Sequence, residues 1–233
     1  MITAAEVRAA AERIAGRVRK TPCAPAPLLS EVVGTHIVCK QEHLQAVGTF
    51  KERGACNRLL TLSQEQRSRG VVAASAGNHA LGLSFHGQRL GVKVTVVMPR
   101  LAPLVKVVRC RALGAEVVLW GDSYADCESR ALELAARDGL TFVHGFDDPD
   151  VIAGQGTLAL ELLEQAPEVD TVMVPVGGGG LLAGLVAALR TLAPGVQLIG
   201  VEPEHAPTLT RALAAGRVER VETEPTLADG LQV

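Results

Sequence analysis

Short β-branched runs recur along the chain, each too short and too uniformly apolar to be an amphipathic helix. They are "HIVCK" (36–40), "GVVAAS" (70–75), "VKVTVVM" (92–98), "AEVVLW" (115–120), "TFVHG" (141–145), "TVMVPV" (171–176) and "VQLIGVE" (196–202). Each reads as a buried strand. Between most of them the apolar positions return with helical spacing, over Asn78 to Leu90, Pro103 to Leu113, Ser123 to Asp138, Ala153 to Gln165 and Leu181 to Leu192. Strand and helix in alternation require crossover connections, hence a largely parallel sheet covered by helices on both faces. The expected class is α/β. At the start, Thr3 and Glu6 form a capping box for an amphipathic first helix. The stretch "GFDDPDVIAGQG" (145–156), rich in Asp and Gly, reads as a crossing between domains.

Composition narrows the partners. The 233 residues are 48% hydrophobic and 21% charged, with a net charge of −2. A core for one large or two modest domains is available, and no basic run offers a footprint for nucleic acid or anionic lipid. The longest apolar run, Leu181 to Leu189, is too short to span a bilayer, and the N-terminus lacks the apolar stretch of a signal peptide. The 5 cysteines are scattered without a Cys-x-x-Cys pair, as expected of reduced thiols in the cytoplasm.

In open α/β sheets chemistry gathers at the turns that follow strands. Three turns stand out. "PVGGGGLLAG" (175–184) places Gly177, Gly178, Gly179 and Gly180 between a strand and a helix. Bare backbone N–H groups at a helix N-terminus make a cup for phosphate, although a tight turn alone also uses glycine. The run fits neither the dinucleotide nor the nucleoside-triphosphate fingerprint. "AASAGNHALGL" (73–83) sets Ser75, Gly77, Asn78 and His79 around a second helix start. This is a pocket for a carboxylate, or ordinary capping with His79 on the surface. In "AVGTFKERGACNRLL" (46–60) Lys51 opens a helix behind Phe50, a poor place for a cation. The lysine is either solvated or shielded and partly neutral, and a neutral amine attacks aldehydes. An amine, a phosphate cup and a carboxylate pocket together suit pyridoxal phosphate bound to an amino acid.

"GTFKERGA", "ASAGNHALGL" and "PVGGGGLLAG", in this order, resemble the fold-type II pyridoxal-phosphate enzymes, and within them the L-threonine/L-serine dehydratases (ammonia-lyases), with serine racemase a near relative. "KQEHLQ", "RALGAEVVL", "DDPDVIAGQGT", "GVEPE" and "TLADGL" extend the resemblance through most of the chain. It implies a tryptophan synthase β-subunit-like fold with a large cofactor domain (1–69 and 148–233) and a small mobile domain (70–147). It implies that Lys51 carries pyridoxal 5'-phosphate and moves the α-proton, that Phe50 packs beside the ring, and that Asn78 bonds the phenolic oxygen. Gly177 to Gly180 would hold the phosphate, and Ser75, Ala76, Gly77 and His79 the substrate carboxylate. The implied reaction is β-elimination of L-threonine or L-serine to a 2-oxo acid and ammonia, in a homo-oligomer.

Three departures temper this. Ala76 stands where serine racemases carry an acid/base serine, so racemisation is expected to be poor. Thr49 replaces the usual serine before Phe-Lys and keeps the hydroxyl. Thr208 stands where racemase-like members place an aspartate beyond a glutamate, here Glu204, so no metal is expected. Family chains also continue past "TLADGL" with further large-domain elements and a serine, threonine or cysteine at the pyridine nitrogen. The sequence stops at Val233, and is expected to be either an enzyme short of that part or a non-catalytic binding or oligomerisation module.

Overall fold

The computed structural model describes residues 1–219, 221–224 and 226–231. In chain order its elements are α1 (Ala4–Ile14), β1 (Cys23–Pro25), α2 (Pro27–Val33), β2 (Val38–Lys40), α3 (Lys51–Thr61), α4 (Gln64–Arg69), β3 (Val71–Ala74), α5 (Asn78–Leu90) and β4 (Val94–Met98). They continue with α6 (Leu104–Ala112), β5 (Glu116–Leu119), α7 (Tyr124–Asp138), β6 (Thr141–Phe142), α8 (Pro149–Gln165), β7 (Thr171–Pro175), α9 (Gly180–Leu192), β8 (Gln197–Val201) and α10 (Thr208–Ala215).

Local chemistry sets the helix ends. Thr3 and Glu6 close the capping box of α1, and Ser123 with Asp126 closes another on α7, which ends at Gly139 in the left-handed region (φ 67°). A four-stranded parallel sheet has the order β5-β4-β3-β6. Its central strand β3 is buried on both faces: Val71 and Ala73 join the core beneath α3, α5 and α6, while Val72 and Ala74 meet Cys127, Ala131 and Leu134 of α7. Each fully buried valine there contributes about 1.5–3 kcal/mol. Order reverses between β3 and β6, and a crevice for ligand opens at such a switch point. A second core joins α1, α8, α9 and the parallel pair β7-β8.

The structure departs from the sequence expectations in four places. The antiparallel partner of β2, β1, had no signal because its three residues include a proline and alternate weakly. β6 is only two residues long. The strands β5, β7 and β8 are not uniformly buried: Met173 is 67% exposed, and β8 is exposed at four of its five positions. β8 pairs only with β7 among the described residues, so its other edge has no strand partner there.

The fourth departure is the glycine-rich stretch 145–156, which is only partly a link. From Pro149 onward it is the start of α8, with Asp148 accepting the Asp150 and Val151 N–H groups at 2.9 and 3.0 Å. Its glycines serve packing: a Cβ on Gly154 would lie 2.7 Å from the Arg53 carbonyl, and one on Gly156 2.7 Å from the Gly184 carbonyl. Backbone therefore meets backbone where α8 crosses α3 and α9.

Candidate active site

Lys51 is the first residue of α3, and its N–H donates to the Thr49 hydroxyl at 3.4 Å. Its Nζ donates to the Gly145 carbonyl at 2.6 Å and lies 5.6 Å from the centre of the Phe50 ring. Burial of the amine pushes its pKa down to about 8. Lys51 is half-buried, with its amine turned onto a backbone carbonyl.

At the end of β3, Ser75 Oγ accepts the Gly77 and Ala80 N–H groups at 3.2 and 3.4 Å, so its hydroxyl is spent on the start of α5. A Cβ on Gly77 would meet nothing within 4 Å, which leaves space above the turn. His79 is neither on the surface nor offering its ring to this space. It is buried, with Nε2–H donating to the Val143 carbonyl at 3.2 Å, Nδ1 unpartnered, and its ring beneath Gly145. The ring is held instead by the segment just past β6, at Val143 and Gly145. Burial, with the nearby Lys51 charge, pushes its pKa down to about 3, so the imidazole is neutral.

The third turn precedes α9. Gly179 occupies the left-handed region (φ 81°) with open space where a Cβ would stand. A Cβ on Gly178 would strike the Phe146 ring, and one on Gly180 would lie 2.7 Å from the Phe146 carbonyl. Thr208 Oγ1 donates to the Gly177 carbonyl at 3.5 Å. Glu202 accepts the N–H groups of Leu209 and Thr210 at 2.6 and 2.8 Å, which makes it a cap for α10. No cluster of three or more His, Cys, Asp or Glu able to hold a metal is found among the described residues.

One dipeptide ties two of the turns together. Gly145 holds the Lys51 amine and Phe146 shapes the glycine turn, yet sequence reading had assigned neither residue to the site. Their signal was positional, since both follow β6 at the switch point of the sheet. The turn at Asp229–Leu231 also reaches the site, where a Cβ on Gly230 would lie 3.8 Å from Asn78 Nδ2.

A desolvated amine beside a bare-backbone cradle at a helix N-terminus fits an aldehyde that carries a phosphate. A family model described as "Pyridoxal-phosphate dependent enzyme" matches residues 14–233. The chain belongs to the pyridoxal-phosphate dependent enzymes. It is 48% identical over 233 residues to the L-threonine ammonia-lyase of Thermotoga maritima, covering all of this chain and 58% of that protein. To the L-threonine ammonia-lyase of Geobacter sulfurreducens it is 44% identical, covering 97% of this chain and 56% of that protein. The chain thus spans a little over half the length of these relatives. Among solved structures, the processed form of threonine deaminase isoform 2 from Solanum lycopersicum superposes with a TM-score of 0.91 at 39% identity, covering 99% of this chain and 63% of that one. Maize serine racemase gives 0.95 at 35% identity, covering 99% and 70%. These pyridoxal-phosphate dependent enzymes share the α/β fold of the present chain.

Proposed function

We propose that the protein carries out the dehydration and deamination of L-threonine, L-serine or both, giving a 2-oxo acid and ammonia. The observation that carries this reading is the desolvated Lys51 amine on the Gly145 carbonyl, one residue from the ring that shapes the glycine turn. Pyridoxal phosphate, when bound, supplies an aldehyde for that amine and a ring able to stabilise a carbanion. Lys51 is the attachment point and the group that takes the α-proton at Nζ. Its lowered pKa leaves a large neutral fraction near pH 8, which suits both roles.

Phe50 flanks the amine, and Asn78 offers its amide from the first turn of α5. Gly177, Gly178, Gly179 and Gly180 hold the phosphate through backbone N–H groups at the start of α9. Ser75, Ala76, Gly77 and His79 form the loop for the substrate carboxylate. In this reading His79 contributes its backbone, because its ring is committed to Val143. The Ala76 methyl cannot transfer a proton, which favours elimination over the racemisation named for the maize protein.

In the same reading, residues 70–147 form the smaller domain and 1–69 with 148–233 the larger. The four-stranded sheet lies wholly within the first of these spans, in support. We read the protein as a cytoplasmic homo-oligomer. The support is the exposed Leu28, Leu29, Val32 and Val33 of α2 and the unpaired state of the cysteines. No described helix is long and apolar enough to cross a membrane.

Borohydride reduction of the protein mixed with pyridoxal phosphate, followed by peptide mapping, tests the site, with a single pyridoxyl group on Lys51 expected. Turnover of L-threonine to 2-oxobutanoate then tests the reaction. Labelling without turnover would favour a non-catalytic binding module, and scattered labelling would refute the site.

A further inference from the structure

His144 stands between β6 and the Gly145–Phe146 dipeptide. Its Nδ1 accepts two backbone N–H groups, from Phe146 at 3.2 Å and Asp147 at 2.9 Å. The proton is therefore on Nε2, which faces Glu128 Oε1 of α7 at 3.4 Å. The ring also meets Phe142 and Phe146 edge to face, with centroids 6.1 and 4.4 Å apart. No other side chain in the described structure accepts from the backbone N–H groups of residues 146 and 147.

We propose that His144 is a positioning residue: its Nδ1 fixes the turn that presents the Gly145 carbonyl to Lys51 and the Phe146 ring to Gly178 and Gly180. It touches neither the amine nor the glycines and acts on both through two consecutive residues. The titratable and charged groups near this turn are Asp147 and Asp148 on the turn itself, Lys51 and Arg58 on α3, the latter paired with Asp148, Glu128 and Tyr124 on α7, and His79 on α5. The inference rests on reading Lys51 and the glycine turn as the cofactor site.

Three substitutions separate the acceptor from the ring. His144→Asn places an amide oxygen near the position of Nδ1, where it accepts from residues two and three further on. His144→Phe keeps the aromatic packing without an acceptor, and His144→Gln moves the polar group out to the position of Nε2. Lys51 is titrated in the protein without cofactor by its acetylation rate against pH, read by peptide mass spectrometry, and affinity for pyridoxal phosphate is measured separately. A loosened turn admits water, which replaces the carbonyl as acceptor and hydrates the ammonium, so the Lys51 midpoint rises from about 8.

The Phe and Gln variants are expected to raise the midpoint by about one pH unit, lowering Lys51 acetylation at pH 8 about fivefold, and to weaken pyridoxal phosphate at least about fivefold. The Asn variant is expected to stay within about twofold of the parent in both. An unmoved midpoint in the Phe and Gln variants, or an Asn variant as impaired as they are, overturns the proposal. If the Phe variant does not fold, the Gln and Asn pair decides. A parent that takes no pyridoxal phosphate on Lys51 refutes the cofactor reading alone, and the Lys51 titration still judges His144.

Discussion

Lys51 is held by a carbonyl rather than a carboxylate, so its charge is a cost to the fold. With a pKa of about 8 in the native state and an ordinary value of 10.5 unfolded, the native protein binds fewer protons between these values. Stability without cofactor should rise with pH from about 8 to 10.5, and the full penalty, at most about 3 kcal/mol, applies below that window. Lys51→Met should abolish the rise and stabilise the protein at pH 7 by about 1–2 kcal/mol, after allowance for the orphaned carbonyl. Urea titrations at pH 7, 8 and 10 check this, and an unchanged pH slope would count against it.

His79 gives the acid counterpart. Its pKa is lowered from 6.5 to about 3, so stability is lost as pH falls through that interval and the native state resists taking up the proton. His79→Gln keeps a donor for the Val143 carbonyl and cannot titrate. Its acid-unfolding midpoint, followed by circular dichroism, should move to lower pH.

At the scale of elements, adjacent glycines owe their identity to different causes. Gly178→Ala must displace the Phe146 ring, whereas Gly179→Ala has room and is strained only by its backbone (φ 81°). Gly178→Ala should weaken pyridoxal phosphate binding at least about tenfold, and Gly179→Ala should cost about 1 kcal/mol of stability with a smaller loss of affinity. Equilibrium titration and thermal melts of both variants separate the two causes. The four glycines were conspicuous in the sequence, but Phe146 was not. A ring that packs beneath a turn leaves no periodic trace, and the contact joins residues more than thirty positions apart. For the same reason the first residues of α8, Pro149 to Ile152, read only as a link, and the helical pattern from Ala153 onward does not show that Gly154 and Gly156 are there to admit neighbouring helices. The helices α5, α6, α7 and α9 were legible because their apolar stripes are local, and α7 carries its capping box as well.

At the scale of the whole molecule, the buried Arg53 guanidinium clamps distant segments. It donates to both oxygens of Glu42 at 2.8 and 2.7 Å and to both oxygens of Glu161 at 2.6 and 2.9 Å, and Lys40 reaches Glu161 at 2.5 Å. Arg53→Met takes the guanidinium from Glu42 and leaves Glu161 to Lys40 alone, and should destabilise the protein by about 3–5 kcal/mol, read from the denaturant midpoint. This network was invisible in the sequence, where Arg53 and Glu161 lie far apart and look like surface charges.

The close crossings of α8 have a mechanical consequence. Lys51 rides on α3 and the glycine turn on α9, and both helices are seated on α8 through glycines that admit no added atom. The spacing between amine and cradle is thus set by a three-helix block with almost no slack. In the domain reading proposed above, adjustment falls to residues 70–147, laid over that block, and this half of the site serves as anvil.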